Sequence, residues 1–251
     1  MREMLDVRRI MIEAKLNRYT IEEHLKKNPK MSFVEFLFDG LLTKAQTDEE
    51  QPASLKAPGG KCSGSGMTQE ARDAFLNAHN KFRSLVAKGL AQNPLGSNGY
   101  APKAARMLKM DYDCTVEQSA MNHAKLCQFK HSKGSGYGEN LWMIMPQNND
   151  YPAMATQASQ SWFSELKTAG VPPDNRLTMQ LWNRPKQIGH YTQMVWETSN
   201  KLGCGIALCG RMTLVVCQYA PRGNMMGSMI YTIGEPCSGC TCSGEEGLCI
   251  A

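Results

Sequence analysis

Histidines and carboxylates near glycines are the residues of this chain whose types could support chemistry. His79 and His123 lie in helical patterns, where a single histidine usually packs in the core or lies on the surface. His131 instead precedes a loop with three glycines, and His190 directly follows Gly189. Glycine lets the backbone approach another element closely, so we expect these two imidazoles to project into a cleft.

Two glutamates complete this candidate set. Glu139 ends the glycine loop, where a strand is expected to begin, and Glu165 lies on a predicted helix. Neutral imidazoles are good Zn²⁺ ligands, and carboxylates suit a supporting or water-bridged role. The same residues could instead pin helices to a sheet through charge-assisted hydrogen bonds. The sequence leaves both interpretations open.

Composition narrows the function classes. The chain has 251 residues, of which 42% are hydrophobic and 20% charged, as in globular proteins and unlike disordered chains. The net charge of +5 is too weak and too dispersed to indicate nucleic-acid binding. We expect no transmembrane segment, because no apolar run has membrane length. The HExxH, GxSxG, P-loop and GxGxxG patterns are absent, and no organic cofactor is expected.

Ten cysteines indicate the compartment. All follow residue 61, and four crowd into the last fifteen residues. An even count with this crowding favours disulfides in an oxidising, extracellular environment. A zinc cluster is the alternative for the last four, but only Cys249 is available as a second half to Cys237-x-x-Cys240-x-Cys242.

The first 57 residues do not match that compartment. They show no signal peptide, since their most apolar window is interrupted by Glu35 and Asp39. Residues 2–25 have the pattern of a charged helix, and residues 47–66 that of a linker rich in proline and glycine. Residues 1–57 are interpreted as an atypical leader and linker, more simply as a foreign or mis-joined segment than as a native helical extension.

A regular domain begins near residue 67. Thr68 suits a helix N-cap, and apolar residues then recur at steps of three and four up to Gly89. Further helices are predicted over 113–128 and 153–168. Alternating or β-branched runs predict strands over 190–196, 203–209 and 212–219, the last two joined by a hairpin turn at 210–211. Helices followed by strands indicate an α+β fold with an antiparallel sheet.

Four ordered motifs resemble a known superfamily. They are GHYTQMVW at 189–196, LVVCQYAPRGNM at 214–225, HS at 131–132 followed by GENL at 138–141, and AHN at 78–80 followed by Arg83. They resemble signatures of the CAP (SCP/TAPS) superfamily of cysteine-rich secretory, antigen 5 and pathogenesis-related proteins. From Cys62 to Ala251 the chain is most similar to Ancylostoma-secreted, venom-allergen-like proteins of parasitic nematodes, of the single-domain hookworm type.

This resemblance implies an architecture and a site. It implies a three-layer α–β–α sandwich over residues 58–233, followed by a disulfide-rich, hinge-like tail over 234–251. His131, Glu139, Glu165 and His190 match the four residues that line the cleft in the family. The two histidines would bind a divalent metal, usually zinc. Two protein ligands are few, so we expect weak binding that falls as the imidazoles protonate.

The resemblance also implies disulfide partners. Within the domain it implies Cys204–Cys217 and Cys114–Cys209, which leaves Cys62–Cys127. In the tail it implies Cys237–Cys242 and Cys240–Cys249.

Three functions follow as expectations. The first is a secreted, non-enzymatic protein, a monomer or weak dimer, that binds a host cell-surface or extracellular protein and modulates immune cells. The second is a sterol or fatty-acid carrier that uses the loop bearing Phe129, Tyr137 and Trp142. The third is a zinc-dependent hydrolase, although no nucleophile–base pair is readable beside Ser132 or Ser161.

Overall fold

A computed structural model of the chain describes residues 62–250. All of them lie in the second of the two units into which the chain divides, Ala57–Ala251. The leader and linker predicted over residues 1–57 lie outside the described residues. Within the described part, no helix is both long enough and apolar enough to cross a membrane.

The first described helix follows the sequence prediction closely. Helix α1 spans Gln69–Ala87, and the Thr68 side chain accepts the N–H of Ala71 as its N-cap. Such a cap satisfies one of the amide groups left free at a helix start. The chain leaves α1 through Gly89, whose φ of +69° is a conformation that glycine adopts without strain.

A four-stranded sheet forms the centre of the domain. Strands β3 (Lys201–Cys209) and β4 (Met212–Ala220) form the predicted antiparallel hairpin, and β2 (Gly138–Ile144) pairs antiparallel with β4. The two-residue strand β1 (Asp111–Tyr112) pairs parallel with β3, giving the order β1-β3-β4-β2. The sheet is therefore antiparallel, as expected, except at this short edge.

Helix α2 (Cys114–Ala124) packs directly on one face of β3. Two glycines of β3 make this approach possible. A Cβ at Gly203 would lie 2.1 Å from the amide nitrogen of Glu117, and one at Gly205 would lie 2.6 Å from the Cα of Met121. The residues that flank these glycines in β3 point to the opposite face, because side chains along a strand alternate in direction.

That opposite face carries the larger apolar cluster. It includes Leu202, Cys204 and Ile206 of β3, together with side chains of α1 and of helix α3 (Tyr151–Ala169). Helices thus contact both faces of the sheet, which agrees with the predicted α+β class.

One predicted strand is wrong. Residues 190–196 do not extend the sheet, because Gly189–Met194 forms the short helix α5 after an earlier turn of helix, α4 (Met179–Trp182). Tyr191–Met194 are four consecutive buried residues. A six-residue helix whose last four residues are all buried shows neither the period of a strand nor that of an amphipathic helix, so periodicity could not identify it.

All ten cysteines form disulfides, and two of the expected pairings are wrong. The structure pairs Cys62 with Cys114 and Cys127 with Cys209, instead of Cys114–Cys209 and Cys62–Cys127. The direction of α2 explains the difference. Helix α2 runs along β3 from Leu202 onward, so Cys114 lies near the strand's start, roughly 20 Å from Cys209 at its end.

The other three bridges have the expected partners. Cys204–Cys217 joins β3 to β4, and the tail contains Cys237–Cys242 and Cys240–Cys249. The tail docks on the domain through Glu246, whose backbone carbonyl accepts the Ser84 hydroxyl at 2.6 Å and whose carboxylate pairs with Lys109 at 2.6 Å.

Candidate functional site: a cleft with two carboxylate-bound histidines

A cavity of about 200 Å³ opens between the loop before β2 and the start of α5. Its lining includes two of the predicted histidines together with polar and aromatic side chains. These are His131, Glu139, Asn140, Trp182, His190 and Asn224. The structure therefore brings His131 and His190 to one cleft, while Glu165 contacts His190 from α3.

The first imidazole–carboxylate pair joins a loop to the start of β2. The His131 Nδ1–H donates to Glu139 Oε1 at 2.9 Å, and the amide of Ser132 donates to the same oxygen at 2.8 Å. Gln218 of β4 donates its Nε2 to Glu139 Oε2 at 2.8 Å. The Glu139 side chain is only 5% exposed, whereas that of His131 is 63% exposed. The buried carboxylate of Glu139 thus orients the solvent-exposed imidazole of His131.

These contacts shift both acid–base equilibria. Burial alone would raise the pKa of Glu139, but hydrogen bonds from His131, Gln218 and Ser132 outweigh it and lower the pKa to about 2. The hydrogen bond to Glu139 raises the pKa of His131, against a smaller opposing effect of burial. Glu139 is therefore ionised at neutral pH, and protonation of His131 is favoured relative to a free imidazole.

The second pair joins two helices. The His190 Nδ1–H donates to Glu165 Oε1 at 2.6 Å, and the backbone amides of His190 and Tyr191 donate to Glu165 Oε2 at 2.9 and 3.0 Å. One carboxylate thus fixes both the His190 ring and the first turn of α5. Trp162 of α3 stacks near the same ring, with 6.3 Å between centroids and 23° between planes.

Arg83 secures the other end of α5. Its side chain is fully buried and donates to the backbone carbonyls of Leu108, Met194, Trp196 and Glu197. Burial lowers the pKa of Arg83 to about 9, which leaves it charged at neutral pH. A cation at the last carbonyls of a helix stabilises that helix end. The segment carrying His190 is thereby fixed at both ends.

A buried polar chain connects the cleft with α1. Asn140 Nδ2 donates to the His190 carbonyl at 3.0 Å and to the Tyr219 hydroxyl at 3.1 Å. His79 Nε2 lies 2.9 Å from that hydroxyl, and its Nδ1 lies 2.8 Å from the Phe75 carbonyl. Burial lowers the pKa of His79 to about 4, so the ring is neutral and donates through Nδ1. The prediction that His79 is a satisfied core residue is confirmed.

Sequence reasoning missed three residues at the site. His123 is buried, contacts the Lys130 carbonyl at 2.7 Å and lies 4.0 Å from Glu139. Gln218 of β4 binds Glu139, and Asn140 of β2 binds the carbonyl of His190. Gln218 occurs inside a motif that otherwise predicts an apolar strand. A polar residue at such a position was the one sequence feature that could have indicated its role.

The donor set fits a divalent metal. Both imidazoles donate Nδ1–H to a carboxylate, which leaves each Nε2 lone pair available, the arrangement usual for histidine ligands in proteins. No residue of 62–250 forms a hydrogen bond with either Nε2. In the described part of the chain, the only three donor residues with atoms within 4.8 Å of one another are Cys237, Cys240 and Cys249, and their sulfurs are committed to disulfides.

The three aromatic residues of the predicted lipid loop do not line this cleft. Phe129 is 53% exposed, Tyr137 is half-buried, and Trp142 packs against the larger apolar cluster.

The comparisons with known proteins identify the family. A profile described as "CAP: Cysteine-rich secretory protein family" matches residues 76–219, which include most of α1, the sheet except the last residue of β4, and all four cleft residues. The chain belongs to the CAP family. The resemblance inferred from the motifs is therefore confirmed.

Individual relatives support the same assignment. The CAP chain described here is 51% identical to Ancylostoma secreted protein of Ancylostoma caninum over 85% of its own length, but spans only 50% of that relative. It matches the crystal structure of NaASP2 with Zn²⁺ at a TM-score of 0.72 and 51% identity, covering 75% of this chain and 99% of that one. It matches Hookworm Platelet Inhibitor at a TM-score of 0.56 and 27% identity, covering 74% and 92%.

Proposed function

We propose that this CAP protein is secreted and acts by binding host molecules, with a cleft that can hold a divalent cation through His131 and His190. The observation that carries the metal site is the pair of imidazoles whose Nδ1–H groups are both committed to carboxylates. The solved NaASP2 relative contains Zn²⁺, which supports the same chemistry here.

A binding role is supported by the hydrogen bonds at the cleft. The Ser132 hydroxyl donates to Ser135 Oγ at 3.2 Å and not to an imidazole. The carboxylates are engaged as acceptors by two or more donors each. A hydrolytic site needs a general base within reach of a nucleophile or water, and here the carboxylates serve to orient the histidines.

Extracellular action is supported by five disulfides and by the family itself. Disulfides persist in oxidising compartments. Two relatives, an Ancylostoma secreted protein and a hookworm platelet inhibitor, have names that indicate secretion and action on host cells. We extend to this chain the modulation of host immune cells, through a protein partner at the cell surface.

The test separates a binder from a hydrolase. The full chain, folded with its disulfides, is incubated with a diverse peptide library with and without Zn²⁺, beside the variant His131→Ala/His190→Ala. We expect no cleavage by either protein, and saturable binding of the labelled wild type to host leukocytes. Zinc-dependent cleavage that the variant lacks would make the protein a metallohydrolase. Absence of any saturable binding to host cells would contradict the binding role.

A further inference from the structure

The surface around the cleft carries an uneven distribution of charge. Three segments adjoin the residues that line the cavity: 125–133, 179–187 and 222–226. We name these three segments the cleft rim. The cleft rim contains six lysines or arginines and no aspartate or glutamate, whereas the whole chain contains 28 and 23. The basic excess of the chain is therefore concentrated beside the cavity.

These cations have no counter-charge within hydrogen-bonding distance among residues 62–250. None of the six forms an ion pair within the part of the chain that the structure describes, and all except the half-buried Arg184 are exposed. The two nearby carboxylates are buried and already bound by imidazoles, with Glu139 5% and Glu165 13% exposed. The cleft rim therefore presents positive potential to solvent.

The same segments expose apolar side chains. The structure exposes fourteen large hydrophobic residues among 62–250, and six of them belong to the cleft rim. They occur as three pairs that are close in sequence, one in each segment. The pairs are Leu126 and Phe129, Met179 and Trp182, and Met225 and Met226. One member of each pair lies within three residues of a lysine or arginine, so each segment carries both apolar and cationic groups.

Hydrogen bonds hold two rim segments beside α5. Gly227 donates its amide to the Leu177 carbonyl at 2.7 Å, which joins the chain next to Met226 to the chain next to Met179. Asn224 donates to the Gly189 carbonyl at 2.9 Å and accepts the Thr192 hydroxyl at 2.7 Å. His131 lines the same cavity as His190, which brings the third segment to that cavity.

We infer that the cleft rim is a docking surface for an anionic lipid bilayer. Peripheral membrane binding combines exposed apolar side chains that enter the headgroup region with lysines and arginines that attract anionic lipid. A sulfated polysaccharide would need the cations but not the three apolar pairs. The inference does not depend on the metal site, since the rim residues it uses are distinct from both histidines and both glutamates.

The test measures flotation of the full chain with unilamellar vesicles. Vesicles of phosphatidylcholine alone are compared with vesicles containing about 30 mol% phosphatidylserine. We expect binding to the anionic vesicles that weakens strongly between about 0.1 M and 0.5 M NaCl, because salt screens the attraction. Binding to phosphatidylcholine alone should be at least about tenfold weaker.

Matched variants locate the surface. Arg184→Gln/Lys186→Gln/Arg222→Gln should weaken binding to anionic vesicles at least about tenfold. Its control, Lys81→Gln/Lys167→Gln/Arg211→Gln, removes three exposed cations outside the cleft rim and should bind as the wild type does. Met225→Ser/Met226→Ser should also weaken binding, whereas Met143→Ser/Met145→Ser, an exposed pair on and just after β2, should not.

Three results would overturn the inference. The first is no binding to anionic vesicles at low salt, which would leave the cleft rim to a protein partner. The second is equal loss in the rim and control charge variants, which would assign binding to net charge. The third is retention on a sulfated polysaccharide column, without vesicle binding and without any effect of Met225→Ser/Met226→Ser.

Discussion

His131 pairs with a carboxylate eight residues along the chain, at the start of β2, whereas His190 pairs with a carboxylate 25 residues away, on α3. Both pairs use the same Nδ1–H···O contact, yet the His131 side chain is 63% exposed and that of His190 is 25% exposed. Glu165 also binds the amides of His190 and Tyr191 in the first turn of α5, while Glu139 binds a loop amide. His190 is therefore an integral part of the packing between α3 and α5, whereas His131 is an exposed side chain held by a single contact.

The largest expected difference between the His131–Glu139 pair and the His190–Glu165 pair is in their contribution to the free energy of unfolding. Glu165→Ala removes three hydrogen bonds that join α5 to α3, and we expect it to lower the free energy of unfolding by about 3 kcal/mol. Glu139→Ala should lower it by about 2 kcal/mol, mainly by leaving Gln218 and the Ser132 amide unpaired. Urea unfolding of both variants, with disulfides intact, measures the difference. A larger loss for Glu139→Ala would reverse the comparison.

Acid should destabilise the fold through the carboxylate of Glu139. The pKa of Glu139 is about 2 in the folded chain and ordinarily 4.5, so the folded state takes up this proton at a lower pH than the unfolded state does. Its stabilisation is present above pH 4.5 and is lost as the pH falls toward 2. Glu139→Gln should flatten this part of the stability curve, while Asp73→Asn, an exposed site on α1, serves as the control. An unchanged slope in Glu139→Gln would contradict the assignment.

The loop pair should also control how metal binding depends on pH. His131 must be neutral to bind a cation, and its contact with Glu139 raises its pKa. Glu139→Gln should therefore move the midpoint of Zn²⁺ binding to lower pH, while weakening the plateau affinity about tenfold through loss of orientation. Zn²⁺ titrations across the pH range measure both effects. A midpoint that moves to higher pH would show that Glu139 does not set the protonation of His131.

The smallest expected effect is that of His131 on folding. His131→Ala removes one hydrogen bond from an exposed ring, so the free energy of unfolding should fall by less than about 1 kcal/mol. His190→Ala removes a half-buried ring that stacks near Trp162, and should have a larger effect. Equal decreases in the free energy of unfolding for the two variants would contradict the claim that His190 contributes more to the packing than His131 does.

Sequence reasoning succeeded where structure is locally encoded. The N-cap and apolar period of α1, the β3–β4 hairpin, and the adjacency of His131 and Glu139 all depend on residues near each other in the chain. It failed where packing decides. The buried segment 190–194 becomes helical between Glu165 and Arg83, and the partners of Cys114 and Cys127 follow from the direction of α2 on two glycines. His123 and Gln218 reach the site only through tertiary contacts.

We propose that His131 and His190 together form a metal site in which two carboxylates orient the imidazoles. The most direct test is calorimetric titration of the full chain with Zn²⁺ near neutral pH, beside His131→Ala/His190→Ala and the control His79→Gln. The account predicts one weak site in the wild type and in any folded His79→Gln, and none in the double variant. Equal Zn²⁺ binding by the double variant, or no binding by the folded wild type, would contradict it.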